Sequence, residues 1–307
     1  DIVVEKEIPI ENGFRKMYIN SGAIDSEGYE LQVKLLPLST RDWSWTINFT
    51  AAYMKDILKR SYTDEPALER FTNGNAALDG FPVSGFWSIP FIGLSPKNGA
   101  PLFAVMDQVG GEMQKVSGSL LDYLVYSGDS EPRVSGGIST TVRYKRFTLN
   151  AMFNYQLGHY KRLNPFITSS NNGMLSIPGA DVNASTELLN RWQQPGDETR
   201  TRIPALSTRD EDVSQYLPDN SLSLGNYNTV YRYSLYNRST ERVVSASHLR
   251  CNRISLNYQT KIPRIAEINL GITVTNPFII KNHRLGDQDP EVMSMNADSY
   301  TPTMKRQ

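Results

Sequence analysis

Four stretches of this 307-residue chain alternate apolar and polar residues with a period of two, which is the pattern of a β-strand with one apolar and one polar face. No segment has a helical period of comparable strength, so the sequence predicts an all-β fold. Two weaker strands are expected at 134–144 and 254–258, the second after a shift of phase following Cys251. The apolar positions are Tyr29, Leu31, Val33 and Leu35; Trp43, Trp45, Ile47, Phe49, Ala51 and Tyr53; Phe147, Leu149, Ala151, Phe153, Tyr155 and Leu157; and Ile268, Leu270, Ile272 and Val274.

The connections between these strands alternate in length. Short turns at 39–42, 144–146 and 261–267 close three hairpins, whereas segments 58–132 and 161–247 separate the hairpins. Loops longer than about 15 residues are uncommon in compact domains. Short turns on one side and long loops on the other are typical of antiparallel barrels of the bacterial outer membrane.

The polar side of the strands carries almost no charge, which bears on the solvent that it faces. In the four strongly alternating stretches only Glu30 and Lys34 are charged on that side, and most of the other residues are Asn, Gln, Ser and Thr. A soluble surface is usually about 25–35% charged. We therefore expect the polar side to line a barrel lumen and the apolar side to contact lipid, where an Arg or Lys at mid-depth costs about 2–4 kcal/mol. A soluble β-sandwich with an aromatic core is the alternative.

Aromatic residues near the strand ends fit the lipid interpretation, because Trp and Tyr rings concentrate at membrane interfaces. The residues expected to form these interfacial girdles are Tyr29, Trp43, Trp45, Tyr53, Phe147 and Tyr155.

Composition excludes several other functions. Thirty-two basic residues balance thirty-two acidic ones, so the chain lacks the basic excess of a nucleic-acid binder. The single cysteine, Cys251, excludes an internal disulfide and a cysteine-based zinc site, and the three histidines lie far apart in sequence. No nucleophile motif accompanies them. We expect no catalytic residue, no metal and no cofactor.

Seven segments, in order along the chain, resemble the C-terminal barrel half of the SusC/RagA family of TonB-linked outer-membrane transporters. Each is short, but together they extend over nearly the whole sequence. They are 20–31 (NSGAIDSEGYEL), 80–85 (GFPVSG), 93–101 (GLSPKNGAP), 126–137 (YSGDSEPRVSGG), 191–199 (RWQQPGDET) with Ile203 and Pro204, 242–258 (RVVSASHLRCNRISLNY), and 289–291 (DPE) before Tyr300 and Pro302.

This resemblance implies an architecture and a function. Residues 1–307 would be the C-terminal portion of a transmembrane barrel of about 22 strands, without the plug, the TonB box and the final strand. The whole protein would import a glycan or an oligopeptide across the Gram-negative outer membrane, beneath a SusD-like surface lipoprotein and powered through TonB. It would contact membrane lipid and lipopolysaccharide, and two transporter–lipoprotein pairs would form a dimer.

Four loop residues are candidates for contact with the ligand or the lipoprotein. Trp87 and Trp192 offer flat stacking surfaces, and Arg191 and Asp197 offer a forked donor and an acceptor. Each has an alternative role in the fold. Trp87 would belong to a hydrophobic cluster within its loop, and Asp197 would cap a turn at 195–196.

Two other kinds of protein stay open at this stage. A soluble all-β carbohydrate-binding or glycoside hydrolase domain would pack two sheets and place two carboxylates about 5–9.5 Å apart in a cleft. A passive porin or adhesin barrel would have no energy coupling.

An acidic stretch contains Asp210, Glu211, Asp212 and Asp219 and could offer oxygen ligands to calcium. Its spacing fits no calcium-binding loop and favours a solvated segment.

Overall fold

A computed structural model of the chain describes residues 2–7, 11, 13, 16–60, 68–76, 78–104, 108–109, 112–113, 121, 124–165, 185–206, 214–218, 227–263 and 265–292. In chain order, the strands in these ranges are β1 (Ile2–Glu7), β2 (Lys16–Ser39), β3 (Trp43–Arg60), β4 (Gly85–Ser88), β5 (Phe91–Leu94), β6 (Pro101–Phe103), β7 (Gln108–Val109), β8 (Glu112–Met113), β9 (Val125–Asp129), β10 (Val134–Tyr144), β11 (Phe147–Leu157), β12 (Tyr160–Arg162), β13 (Ser214–Pro218), β14 (Tyr227–Tyr231), β15 (Val243–Ser245), β16 (His248–Ile262) and β17 (Ala266–Lys281).

Helices are few and short in the same ranges. The α-helices are α1 (Leu68–Thr72) and α2 (Arg232–Asn237), and 3-10 helices occur at Thr186–Asn190, Asp197–Thr199, Thr240–Arg242 and His283–Leu285. A helix with the length and apolar character to cross a bilayer is not found in the described part of the chain.

Seven long strands form one antiparallel sheet, which we call the wall. Its order is β1-β2-β3-β10-β11-β16-β17, so every strand pairs with the next long strand of the sequence. The short connections that follow β2, β10 and β16 close three hairpins at one edge, the turn end. The long segments leave and re-enter the wall at the opposite edge, the loop end. The predicted all-β fold, hairpins and alternating connection lengths are confirmed.

The register of the wall places all the predicted apolar positions on one face. Phe49 is paired with Ile138, and Ile138 with Phe153, with no shift of register along β3, β10 and β11. The register between β11 and β16 shifts by one residue between Met152 and Phe153. These two residues pair with Arg253 and Cys251, so that Asn252 between them is left out of the pairing. This β-bulge is the origin of the phase shift after Cys251, because an extra residue moves the following side chains to the other face.

The apolar face of the wall is open along most of its length. Leu270 and Ile272 are 63% and 72% exposed, and Tyr29 is 71% exposed. In the described part of the chain no second sheet packs against this face. A soluble sandwich would hold these side chains in a dry interior, so the structure does not support that alternative.

Polar side chains on the two faces find partners across the strands. On the polar face the Asn48 amide donates to Ser139 Oγ (3.2 Å) and the Thr141 hydroxyl to Asn150 Oδ1 (2.9 Å). Thr140 lies on the apolar face, where the Trp45 indole Nε1 donates to its hydroxyl (2.9 Å). Pairing of this kind lowers the cost of a hydroxyl in apolar surroundings.

Aromatic rings mark both edges of the apolar face. Across four strands at the turn end, Trp43, Tyr144, Phe147 and Tyr258 are directly opposed, and we call them the aromatic row. The centroids of the Trp43 and Tyr144 rings are 4.2 Å apart, and those of Phe147 and Tyr258 are 4.8 Å apart. Towards the loop end, Tyr29 stacks on Tyr53 at 6.3 Å.

Tyr155 lies flat across a neighbouring strand because that strand carries a glycine. Its ring stacks on Phe49 (6.0 Å), and its hydroxyl donates to the Thr50 carbonyl (2.8 Å), two strands away. The ring passes over Gly136, where a Cβ atom would meet the Tyr155 hydroxyl at 2.5 Å and the Thr50 carbonyl oxygen at 2.0 Å. This contact therefore requires glycine at position 136.

We predict that Gly136→Ala lowers the free energy of unfolding of the full-length protein by about 1–3 kcal/mol, the usual cost of overpacking. The added methyl group must push Tyr155 off the Thr50 carbonyl. Urea unfolding of the folded protein in lipid vesicles measures this loss.

Gly137→Ala is the matched control, because a Cβ atom at that position has no heavy atom closer than 3.5 Å. Equal unfolding midpoints for the two variants would contradict the proposed role of Tyr155.

Candidate functional site

The described parts of the two long connections pack together as one body at the loop end. We call residues 61–133 the first loop, residues 158–247 the second loop, and their shared structure the loop body. The first loop contributes Phe71, Ala76, Trp87, Ile89, Phe91, Leu94 and Phe103 to one buried cluster, and the second contributes Leu188, Trp192, Ala205, Leu235 and Tyr236. Their packing buries apolar area that neither loop could bury alone, which gives these long segments a fixed shape.

A buried arginine joins the two loops. The Arg162 guanidinium donates to the carbonyl oxygens of Thr72 (3.0 Å), Trp87 (3.1 Å) and Ser239 (3.3 Å) and to Ser88 Oγ (3.1 Å). Thr72, Trp87 and Ser88 belong to the first loop and Ser239 to the second. Burial lowers the pKa of Arg162, with the positive charges of two nearby arginines as lesser causes. The four acceptors offset part of the cost of burying this charge.

A second arginine, Arg242, joins separate parts of the second loop. Arg242 lies 2.5 Å from Glu187 Oε2, donates to the Asn164 carbonyl (2.5 Å), and places its guanidinium 5.9 Å from the centre of the Tyr236 ring. Glu187 belongs to the 3-10 helix at Thr186–Asn190, whose first turn is capped by the Ser185 side chain.

Residues 282–292, which follow β17 and which we call the third loop, return to the same region. The Gln288 amide donates to the Arg162 carbonyl (3.0 Å), and the Arg250 guanidinium contacts Asp289 (2.7 Å) and Glu291 (2.8 Å). Lys161 also donates to the Asp289 carbonyl (2.7 Å). The Asp-Pro-Glu segment thus fastens the third loop to β16 and β12.

Two histidine rings, His159 and His248, lie next to each other close to these contacts. The His248 ring lies 3.1 Å from Glu291 Oε1 and 2.9 Å from the Ala246 carbonyl. The His159 ring centroid is 5.9 Å from that of His248, and the side chain is only 2% exposed. Among the described residues, neither ring nitrogen of His159 has a hydrogen-bond partner. Burial, followed by the charges of His248 and Lys161, lowers the pKa of His159 to about 4.

Trp87 lies inside the loop body rather than on its surface. It is 2% exposed, and its ring lies 5.3–5.6 Å from those of Phe71, Phe81 and Tyr126. This packing supports the alternative role in a hydrophobic cluster. Contact of Trp87 with a ligand or a lipoprotein stays a prediction.

The RWQQPGDET segment forms a turn held by its own carboxylates. Gly196 adopts a left-handed conformation (φ 102°), which disfavours any residue with a Cβ atom. Asp197 Oδ2 accepts hydrogen bonds from the backbone N–H groups of Gln193 and Gln194 (both 3.1 Å). The turn that the sequence indicates, with Asp197 as its cap, is therefore present.

Trp192 and Arg191 lie side by side in sequence but differ in exposure. Trp192 is buried in the core of the loop body, and its indole Nε1 donates to Glu198 Oε2 (3.1 Å). Arg191 is partly exposed and donates to the Leu188 carbonyl (3.1 Å). Trp87 and Trp192 thus share one core, whereas Arg191 and Asp197 lie closer to solvent.

Sequence reasoning missed several residues on which the loop body depends. Arg162 has no motif that distinguishes it from a surface arginine, and Arg242, although it begins the segment 242–258, carries no sign of its buried contacts there. Glu198 stands inside the segment already singled out, where its pairing with Trp192 could have been suspected. The acidic residues of the candidate calcium stretch, Asp210, Glu211, Asp212 and Asp219, lie outside the described residues. Among the residues that are described, no three metal-binding side chains converge.

Comparison with known proteins gives two curated relatives and several solved structures, whereas no family model matches. The TonB-dependent receptor P3 of Formosa agariphila is 21% identical over 238 residues, which cover 72% of this chain and 23% of that receptor. The TonB-dependent receptor SusC of Bacteroides thetaiotaomicron is 23% identical over 323 aligned positions, which cover 99% of this chain and 28% of SusC. The chain thus spans about a quarter of the length of these relatives.

Solved structures of the RagAB peptide importer have the same fold. The "closed-closed" state aligns with a TM-score of 0.64 at 20% identity, over 96% of this chain and 30% of that one. A structure titled as the RagAB peptide transporter aligns with a TM-score of 0.65 at 19% identity, over 95% of this chain and 29% of that one. The resemblance to SusC/RagA-type TonB-dependent transporters is confirmed at low identity, and so is the predicted fold, part of an antiparallel barrel of this type.

We predict that Arg162→Met opens the loop body while the wall stays folded. The substitution leaves three buried carbonyl groups and a hydroxyl without their donor, and each such loss costs about 1–3 kcal/mol. Hydrogen exchange of the full-length protein should show faster exchange in residues 68–104 and 227–247, with β10 and β11 unchanged.

Arg200→Met, an exposed position in the same loop body, is the matched control and should exchange like the unmodified protein. Unchanged exchange in Arg162→Met would show that the guanidinium does not hold the loops together.

We predict that His159 makes the protein less stable in acid. Its pKa is about 4 in the folded protein and about 6.5 in an unfolded chain. Between these two pH values the unfolded chain binds a proton at His159 that the folded protein does not. The folded protein therefore has its full stability above about pH 6.5 and loses stability as the pH falls towards 4. The loss between pH 7 and pH 4 is about 3 kcal/mol.

His159→Met should remove this part of the pH dependence, measured by urea unfolding at both pH values. His283→Met, at an exposed position in the third loop, should leave it intact. The same acid sensitivity in His159→Met as in the unmodified protein would assign it to other groups.

Proposed function

We propose that residues 1–307 form part of the barrel wall and the outer loops of a TonB-dependent importer in the Gram-negative outer membrane. The observation that carries the proposal is the wall itself, one continuous antiparallel sheet with an exposed face of apolar side chains and, opposite it, a face of mainly uncharged polar side chains. Such a sheet suits hydrocarbon on one side and a wet lumen on the other. The likeness to SusC and RagAB supports it.

The wall and the loop body have different tasks in this proposal. Side chains such as Asn48, Ser139 and Asn150 give the lumen amide and hydroxyl groups, which bind a passing solute weakly and release it. The loop body stands at the outer mouth, where it shapes the entrance and meets a SusD-like lipoprotein. Because selective capture takes place without any change in covalent bonds, no catalytic residue is required.

The proposed energy source and substrate class rest on the resemblance to the whole-length relatives. The relatives are named a TonB-dependent receptor and a peptide importer, so we propose TonB-driven uptake of an oligopeptide or a glycan, by pairs of transporter and lipoprotein. In this scheme the chain is the C-terminal portion of the barrel and reaches TonB through regions outside residues 1–307. Its outer surface contacts lipid and lipopolysaccharide.

Among the four candidate residues, Arg191 is the one best placed to contact a ligand directly. Arg191 is partly exposed. Trp87 and Trp192 contribute indirectly, because they pack in the core that maintains the shape of the loop body, and Asp197 contributes by capping its turn. A partly exposed guanidinium can bind a peptide carboxylate or a sugar hydroxyl through its forked donors.

The experiment that tests the function uses the full-length protein and its neighbouring lipoprotein. We predict that it fractionates with the outer membrane, that only detergent releases it, and that uptake of its substrate stops when the proton gradient is collapsed. Arg191→Gln should reduce uptake several-fold at unchanged protein level, and the exposed Arg200→Gln should not. A protein that is soluble in buffer without detergent would end this proposal.

The two other functions make different predictions. A soluble carbohydrate-binding domain or glycoside hydrolase would be extracted without detergent and would bind or cleave glycans by itself. The open apolar face already disfavours it. A passive porin would conduct its solute with the proton gradient collapsed, and this result would replace the importer with a channel.

A further inference from the structure

The turn end of the wall combines aromatic and basic side chains on one face. The aromatic row crosses β3, β10, β11 and β16 there. Between β10 and β11, the hairpin turn carries Lys145 and Arg146 in succession. The ammonium group of Lys145 lies 5.3 Å from the centre of the Tyr144 ring, within the range of a cation–π contact.

Arg146 is directed along the same face. Its Nη1 donates to Thr260 Oγ1 (2.8 Å), and Thr260 lies two residues after Tyr258 on β16, on the apolar side. The guanidinium therefore spans from the β10–β11 turn to the neighbouring strand, beside the end of the aromatic row. The guanidinium also makes a side-chain hydrogen bond with Tyr258, and the remaining N–H groups of its five can bind an anion.

Neither cation has a carboxylate partner in the part of the chain that the structure describes. Glu267, in the next hairpin, accepts from the Gln259 amide (2.7 Å) and is paired with Lys261, a position on the polar face. Asp42 meets Lys145 through its backbone carbonyl, which accepts from the Lys145 N–H (2.8 Å). Two positive charges thus lie side by side at the apolar face, and no carboxylate of the described residues forms an ion pair with either of them.

An apolar strip lies next to the aromatic row on the side of the loop end. The row next to the aromatic row consists of Trp45, Val142, Leu149 and Leu256, which are again opposed across the same four strands. A ligand that fits both features has an anionic head beside Lys145 and Arg146 and a hydrocarbon chain along this strip.

We propose that Lys145 and Arg146, with the aromatic row, bind the phosphate headgroup of an anionic phospholipid in the periplasmic leaflet. The inference rests on the proposed function, because short turns of outer-membrane barrels face the periplasm. An arginine fork matches a phosphate in geometry, and Tyr and Trp rings lie at headgroup depth. A free phosphate would use the cations alone, whereas a lipid uses the apolar strip as well.

The test measures lipid bound to the full-length protein by native mass spectrometry during titration with phosphatidylglycerol or phosphatidylethanolamine. We predict preferential binding of phosphatidylglycerol. Because a cation near an anionic membrane surface contributes about 1 kcal/mol, either Lys145→Gln or Arg146→Gln should weaken it about fivefold, and the double variant about thirtyfold.

Arg143→Gln is the matched control, since it removes a cation at the same height on the polar face, opposite Ser44 and Thr148. Equal binding of the two lipids, unchanged binding in the double variant, or an equal loss in Arg143→Gln would each overturn the proposal. The importer proposal is judged separately, by whether the unmodified protein needs detergent for extraction. Variants are compared only after their unfolding midpoints are shown to match.

Discussion

The structure depends on the separation of two solvents by the pleat of a single sheet. Every second side chain of a strand points to the same face. A register that holds across β3, β10 and β11 therefore puts most of the apolar residues on one side and most of the amides and hydroxyls on the other. The antiparallel ladder pairs the backbone groups within the sheet at the same time, which is what a structure in hydrocarbon requires. A slip of one residue in any pair would exchange the two faces.

Three local features of the wall depart from its regular pattern. The bulge at Asn252 restores the apolar face of β16 after a change of phase in the sequence. Gly136 makes room for Tyr155 to cross β10 and reach the Thr50 carbonyl, so that an aromatic ring bridges three strands. Thr140 is a polar residue on the wrong face, and the Trp45 indole satisfies its hydroxyl.

The sequence predicts the wall far better than the loop body, because the two depend on information of different range. Alternation in residues 43–53 and 147–157 is local, and it indicates both the strands and their faces. The Trp87 ring is buried by Phe71, Phe81 and Tyr126, which lie 6 to 39 positions away, and no local pattern reports these contacts. The cap formed by Asp197 was predictable because its partners, Gln193 and Gln194, are neighbours in the chain. Arg162 was not, since its acceptors come from residues 72, 87, 88 and 239.

The position of Arg162 also limits how such proteins can diversify. A new specificity would most simply arise by exchanging one surface loop for that of a related protein. Here the first and second loops supply different acceptors to one guanidinium and share one apolar core, so a foreign first loop would meet a second loop shaped for another partner. Productive recombination must therefore transfer both segments, together with β10 and β11 between them, as a single inherited block.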